Sequence, residues 1–73
     1  MNKDLIAKRL VDLRDNRSRE KVANDLNISI SALQMYENGQ RVPRDEIKIK
    51  IARYYDESVQ NIFFKDPEHE LCS

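Results

Sequence analysis

The sequence has few of the residues that stabilise small proteins by means other than core packing. Its 73 residues include one cysteine, Cys72, and one histidine, His69, so an internal disulfide and a Cys/His zinc site are both excluded. No apolar run approaches the roughly 20 residues that span a bilayer, and the N-terminus lacks the apolar stretch of a secretion signal. We therefore expect a single cytoplasmic domain that does not enter a membrane and that carries no metal or other cofactor.

Glycine and proline are also scarce, with one and two residues. Since a β fold needs many turns, this scarcity and the abundance of Lys, Glu, Arg, Leu and Ala favour helices joined by short loops. The sequence predicts an all-α fold, in which a domain of residues 1–64 precedes an acidic, mobile tail at residues 65–73. The five predicted helices span about residues 3–15, 19–26, 30–38, 44–55 and 59–64.

Capping residues and the two prolines set the predicted helix ends. Asn16 and Gly39 tolerate the left-handed conformation and are expected to end helices 1 and 3. Ser18 and Ser29 can accept hydrogen bonds from free N–H groups at the starts of helices 2 and 3. Pro43 is expected in the first position of helix 4, where the missing N–H costs nothing.

Residues 47–51, Ile-Lys-Ile-Lys-Ile, allow two interpretations. Their alternation has the period of a strand, but a lone strand would have no partner in this chain. We interpret the segment as part of helix 4, with Ile47, Ile51 and Tyr55 facing the core. Tyr54 is likewise expected to be a core residue.

Charge is distributed unevenly along the chain, although the formal net charge is zero. Residues 1–53 hold 12 Lys/Arg and 8 Asp/Glu, a net of +4, and residues 54–73 hold one Lys and five Asp/Glu, a net of −4. A neutral chain argues against a nucleic-acid partner, whereas a basic front section permits one.

Helices 2 and 3 have the pattern of a helix-turn-helix. Ala23 is small where the two helices come closest, Asn27 tolerates positive φ in the turn, and Ile28 and Leu33 attach the second helix to the core. The major groove of B-DNA, about 12 Å wide, admits one such helix. The outer face of helix 3 is formed by Ile30, Ser31, Gln34, Met35 and Asn38.

Residues 29–43, Ser-Ile-Ser-Ala-Leu-Gln-Met-Tyr-Glu-Asn-Gly-Gln-Arg-Val-Pro, resemble the signature of the Xre family of phage-repressor-like domains, and the likeness covers roughly residues 5–64. Its most specific part is Tyr-Glu-Asn-Gly at 36–39, followed by a basic residue and a proline. The resemblance implies a compact, five-helix, lambda-repressor-like fold. It also implies a transcriptional repressor that binds palindromic double-stranded DNA as a homodimer.

The resemblance assigns roles to single residues. Arg14 and Glu37 match a structural pair that ties helix 1 to the end of helix 3. The residues expected to face bases are Ile30, Ser31, Gln34 and Met35. The residues expected to contact phosphates are Arg19, Ser29, Asn38, Arg41 and Arg44.

Three departures from the family pattern affect these assignments. The connection between helices 1 and 2 is two residues shorter than usual, and Arg19 replaces the usual glutamine. Ile30 and Met35 are apolar where many relatives carry Arg, Gln or Asn. Readout is therefore expected to use thymine methyl contacts and DNA shape besides one or two hydrogen bonds.

Two other functions also suit the sequence. The zero net charge and the apolar Ile30 and Met35 also suit a protein-interaction module that has lost DNA binding, and a chain without a sensor domain also suits the antitoxin of a toxin-antitoxin pair, with a protein partner. His69 and Cys72 lack the surrounding groups that catalysis needs, so no enzyme is expected. Apolar side chains near residues 59–64 favour self-association.

Overall fold

The structure, a computed structural model, describes residues 2–65. Within this range it contains five helical elements and no strand, which confirms the predicted all-α, five-helix fold. The predicted tail, apart from its first residue, and with it His69 and Cys72, lies outside the described residues. The elements are α1 (Lys3–Arg14), α2 (Arg19–Leu26), α3 (Ile30–Glu37), α4 (Asp45–Tyr54) and the short π-helical α5 (Gln60–Phe64).

Side-chain caps begin four of these elements. The carboxamide oxygen of Asn2 accepts from the backbone N–H groups of Asp4 and Leu5, at 3.0 and 3.1 Å. The hydroxyl oxygens of three serines each accept from the N–H three residues later at 3.0 Å, which satisfies a donor without an intrahelical partner. These serines are Ser18 before α2, Ser29 before α3, and Ser58 before α5.

The helix ends correct two predictions. Asp15, not Asn16, has positive φ, at φ 52° and ψ −119°, and the Arg17 N–H donates to the Arg14 carbonyl at 3.0 Å. The Asp15 angles and the hydrogen bond from Arg17 match the first central residue of a type II′ turn. Pro43 is buried and precedes Arg44, the N-cap of α4, so it lies outside the helix rather than in its first position.

Helices α2, α3 and α4 end in left-handed residues that close the last turn, namely Asn27, Gly39 and Asp56. In each case the next residue's N–H donates to a carbonyl five residues earlier, as in the Schellman motif. Residues 47–51 fall within α4, which confirms their interpretation as part of a helix and excludes the strand alternative.

The core lies where the apolar stripes of all five elements meet. Ile51 is fully buried, while Ile47 and Tyr55 pack against the core from half-buried positions. The same holds for Tyr54. The buried core residues are Ile6, Leu10, Val22, Ala23, Leu26, Leu33, Tyr36, Ile51, Ala52, Ile62 and Phe63.

Polar side chains attach the last two helices to the first two. The Arg9 guanidinium donates to the carbonyls of Ile62 and Lys65, at 3.0 and 2.6 Å, and thereby holds α5 against α1. The Tyr54 hydroxyl donates to the Asp25 carboxylate at 2.7 Å, which joins α4 to α2. These bonds thus join the four helices other than α3 in two pairs, α1 with α5 and α2 with α4.

Candidate nucleic-acid interface

The turn between α2 and α3 has the conformation that a helix-turn-helix needs. Asn27 is left-handed, at φ 59° and ψ 43°, and the Ile28 N–H donates to the Ala23 carbonyl at 3.0 Å. Ala23 is buried where α2 meets the core, and Leu33 anchors α3 from the other side. The three residues between the helices therefore reverse the chain without an unsatisfied helix end.

The outer edge of α3 mixes polar and apolar side chains. Ile30 is 43 % exposed, Ser31 and Gln34 are exposed, and Met35 is half-buried. Ala32, on the next face, packs against the core. The structure thus brings the four predicted base-facing residues to one helix, with two hydrogen-bonding side chains among them.

The segment after α3 is held against the protein by its backbone. The N–H groups of Gln40 and Arg41 both donate to the Met35 carbonyl, at 3.0 and 3.3 Å. Gly39 has φ 75°, and a Cβ at this position would lie 2.8 Å from an Asp4 carboxylate oxygen. A larger residue would have to displace the Asp4 carboxylate, whereas the nearest α1 backbone atoms lie at ordinary contact distances of 3.6 and 3.7 Å, so the positive φ is the main reason for glycine here.

Three predicted phosphate-contacting residues belong to this segment or border it. Asn38, Arg41 and Arg44 are all exposed, and neither arginine forms an ion pair with a residue in the range 2–65. Ser29 is exposed as well, but its hydroxyl already caps α3. The two arginines therefore keep their guanidinium groups available for an external anion.

Glu37, the last residue of α3, is fully enclosed and paired with two arginines. Its side chain is 0 % exposed, Arg14 Nε donates to Oε2 at 2.8 Å, and Arg19 Nε donates to Oε1 at 2.8 Å. Arg14 also donates through Nη1 to the Arg17 carbonyl at 2.8 Å. One carboxylate thus connects the end of α1, the start of α2 and the end of α3.

The pairing of Arg19 with Glu37 is the feature that sequence reasoning missed. Arg19 was expected to contact a phosphate, and Glu37 was expected to pair with Arg14 alone. The available signal was the replacement of the family's usual glutamine by arginine at position 19, which adds a cation near a carboxylate that would already have one. The structure places one guanidinium on each carboxylate oxygen.

Two tyrosines at the C-terminal end of α4, Tyr54 and Tyr55, interact with neighbouring charged side chains. The hydrogen bond from Tyr54, followed by that from Lys21, lowers the pKa of Asp25, and the same contact with Asp25 raises the pKa of Tyr54. Burial, and then the negative charge of Glu37, raises the pKa of Tyr55 to about 12. The Arg17 guanidinium lies over both tyrosine rings, 5.6 and 5.5 Å from their centroids.

Two kinds of feature are absent from the part of the chain between residue 2 and residue 65. No group of three or more His, Cys, Asp or Glu side chains there is arranged to hold a metal ion. No helix in this range has the length and apolar character needed to cross a membrane.

Comparison with known proteins gives one match. A model of the helix-turn-helix family HTH_3 matches residues 7–62, which include all of α2, α3 and α4 and most of α1. Searches of curated proteins and of solved structures returned no significant match. The matched range covers more than half of the chain and contains the turn at Asn27 and the carboxylate of Glu37. The chain belongs to the Xre-like helix-turn-helix family of DNA-binding transcription regulators.

Proposed function

We propose that this protein is a transcriptional repressor that binds a palindromic operator as a homodimer, with α3 in the major groove of each half-site. The observation that carries the proposal is the exposed edge of α3, which is bordered by Arg41 and Arg44, two exposed arginines that form no ion pair with a residue in the range 2–65. A helix that is fixed at both ends and exposed along one edge can present that edge to base pairs.

Charge supports binding to a phosphate backbone. All 13 Lys/Arg residues and ten of the 13 Asp/Glu residues lie within residues 2–65, a net charge of +3 for this part of the chain. Phosphate contacts from basic side chains release counterions and provide most of the affinity. In this function, phosphates are contacted by Arg19, Ser29, Asn38, Arg41 and Arg44.

Base readout is the smaller contribution. Ser31 and Gln34 can form hydrogen bonds to base edges, whereas Ile30 and Met35 can contact thymine methyl groups. With two polar readers, the discrimination between operators depends strongly on DNA shape at positions the protein does not touch.

Self-association is supported by apolar side chains at the C-terminal side of the fold. Phe64 in α5 is 49 % exposed and Ile49 in α4 is 47 % exposed. A two-fold dimer would bury such side chains and would match the two-fold symmetry of a palindromic site.

Fluorescence anisotropy with operators selected from a random duplex pool tests the proposal. We expect Arg41→Gln and Arg44→Gln each to weaken binding to all sequences and to reduce the slope of log K against log salt by about 1. Arg53→Gln is the matched control, because Arg53 is an exposed arginine on α4, beside the α2 residue Asp25 and outside the proposed contacts. An absence of binding at about 50 mM salt and micromolar protein would refute the function.

A protein partner is the second candidate, and the exposure of Ile30 favours it. An apolar side chain that is 43 % exposed on the outer helix suits a protein surface as well as a thymine methyl group. An antitoxin would bind its toxin as well as its operator. Charge reversal at Arg41 and Arg44 separates the two candidates, since it should abolish DNA binding and leave a partner bound through Ile30 in place.

A further inference from the structure

The arrangement around Glu37 leaves the two arginines unequal. Both use Nε to reach the carboxylate, but Arg14 also donates through Nη1 to a backbone carbonyl, and its side chain is 17 % exposed. The Arg19 side chain is 37 % exposed, and its two terminal amino groups donate to no residue in the range 2–65. Arg14 is thus engaged within the protein, and Arg19 keeps its terminal N–H groups for an acceptor outside it.

We propose that Glu37 is a positioning residue for DNA binding, which holds Arg19 so that one guanidinium bridges the buried carboxylate and a backbone phosphate. The planar guanidinium has five N–H donors, so Nε can remain on Glu37 while the terminal amino groups bind a phosphate oxygen. The inference rests on the proposed function, since it assigns a geometry to one of its phosphate contacts.

Fixing Arg19 before DNA arrives should strengthen the contact. A free arginine loses side-chain freedom when it binds a phosphate, whereas Arg19 is already held by a charge-assisted hydrogen bond of 2.8 Å. Glu37 is also the last residue of α3, so the orientation of this guanidinium is tied to the helix proposed to read the bases. The carboxylate would therefore align a phosphate contact at the start of α2 with α3.

Lysine substitution separates positioning from charge. Lysine at position 19 keeps the positive charge. Its single ammonium group, however, lacks the separate N–H groups with which a planar guanidinium can bind the Glu37 carboxylate and a phosphate at the same time. We expect Arg19→Lys to weaken operator binding about tenfold with the salt slope unchanged. The matched comparison is Arg41→Lys, on a guanidinium with no ion pair in the described residues, which should weaken binding by a clearly smaller factor than Arg19→Lys.

Neutralising Glu37 gives a second test, because a positioning role and a purely electrostatic effect of its charge predict opposite changes in DNA affinity. Removing a negative charge from the interior beneath a DNA-binding surface should by itself tighten binding, because it lowers the repulsion of the phosphates. If Glu37 positions Arg19, Glu37→Gln weakens binding of the folded protein, and Arg19→Lys adds little in that background. Glu20→Gln, which neutralises an exposed carboxylate beside Arg19 in the sequence, should tighten binding or leave it unchanged.

Anisotropy titrations at several salt concentrations measure these effects, and circular dichroism identifies the temperature range in which each variant is folded. If Glu37→Gln does not fold, the comparison of Arg19→Lys with Arg41→Lys decides. The inference is overturned if these two lysine variants bind alike, or if Glu37→Gln binds more tightly than the parent. If the parent protein binds no duplex, the proposed function fails and this inference fails with it. If the parent binds DNA but the two lysine variants bind equally well, only this inference fails.

Discussion

Removing the two arginines that share Glu37, singly and together, should reveal how the buried carboxylate is stabilised. Arg14→Met eliminates a charged hydrogen bond at a side chain that is 17 % exposed, and we expect it to lower the free energy of unfolding by about 2 kcal/mol. Arg19→Met acts at a side chain that is 37 % exposed, where solvent screens the pair, so about 1 kcal/mol is expected. In each single variant Glu37 retains one cation.

The double variant differs in kind, because it leaves a fully enclosed carboxylate with no cation. The two single losses sum to about 3 kcal/mol, whereas the double variant should lose about 5 kcal/mol, the upper end of the about 3–5 kcal/mol that a stranded buried charge costs, so the double loss exceeds the sum by about 2 kcal/mol. Since a domain of this size is stable by as little as about 5 kcal/mol, the double variant should be largely unfolded at 25 °C.

A third substitution tests whether the stranded charge of Glu37 causes the instability of the double variant. Adding Glu37→Leu to the double variant removes the stranded charge, and buried ion pairs replaced together by apolar side chains often retain or gain stability. We expect this triple variant to fold again, which a loss of packing at positions 14 and 19 would not allow. Urea denaturation followed by far-UV circular dichroism measures all four proteins. Single losses that add to within about 0.5 kcal/mol of the double, or a triple variant no more stable than the double, would refute the reasoning.

Other predictions concern the backbone, pH and the surface. Asp15→Gly should raise the free energy of unfolding by about 1 kcal/mol in urea titrations, because the positive φ at Asp15 is strained for aspartate and suits glycine. Asn27→Gly should change the free energy of unfolding little. A destabilised Asp15→Gly variant would contradict the proposed strain at Asp15. The pKa of Tyr55 is about 12 in the folded chain and about 10 in the unfolded chain, so its contribution to stability is present below pH 10 and is lost between pH 10 and 12. Tyr55→Phe should therefore make the urea midpoint less dependent on pH in this range. An unchanged pH dependence would exclude Tyr55 as its cause. Phe64→Asp should shift the sedimentation profile toward monomer while the helical content is retained. Val11→Ser, at an exposed position on α1, should leave the sedimentation profile unchanged. Equal shifts in the two variants would argue against an interface at α5.

The local features of the helix-turn-helix could be predicted from the sequence. Ser18, Ser29 and Asn27 act through hydrogen bonds and backbone angles that involve residues at most five positions away, so their residue types carry the information. The Asn16 prediction was wrong because neighbouring Asp and Asn residues both tolerate positive φ, and the type of turn decides which of them adopts it.

Long-range contacts could not be predicted in the same way. Arg19 and Glu37 are 18 residues apart, and their contact depends on how α2 and α3 cross. Lys48 is buried, with its ammonium 4.9 Å from the centroid of the Phe64 ring and 3.5 Å from Asp45, although a lysine in an Ile-Lys alternation would be expected in solvent. The ammonium group explains this position, since it lies over the Phe64 ring as a cation–π contact and near the Asp45 carboxylate.

The two ends of α3 are fixed by different means, and the difference matters for the proposed readout. The N-terminal end follows a left-handed turn and a serine cap, whereas the C-terminal end is held by the Glu37 carboxylate and by the left-handed turn at Gly39, in which the Gln40 N–H donates to the Met35 carbonyl. Both anchors are contacts within the protein, so α3 can enter a groove without first being ordered by DNA. With two polar readers on its edge, specificity then depends on the register of α3 relative to the phosphates. A substitution that shifts either anchor should therefore alter operator choice as much as one at Ser31 or Gln34.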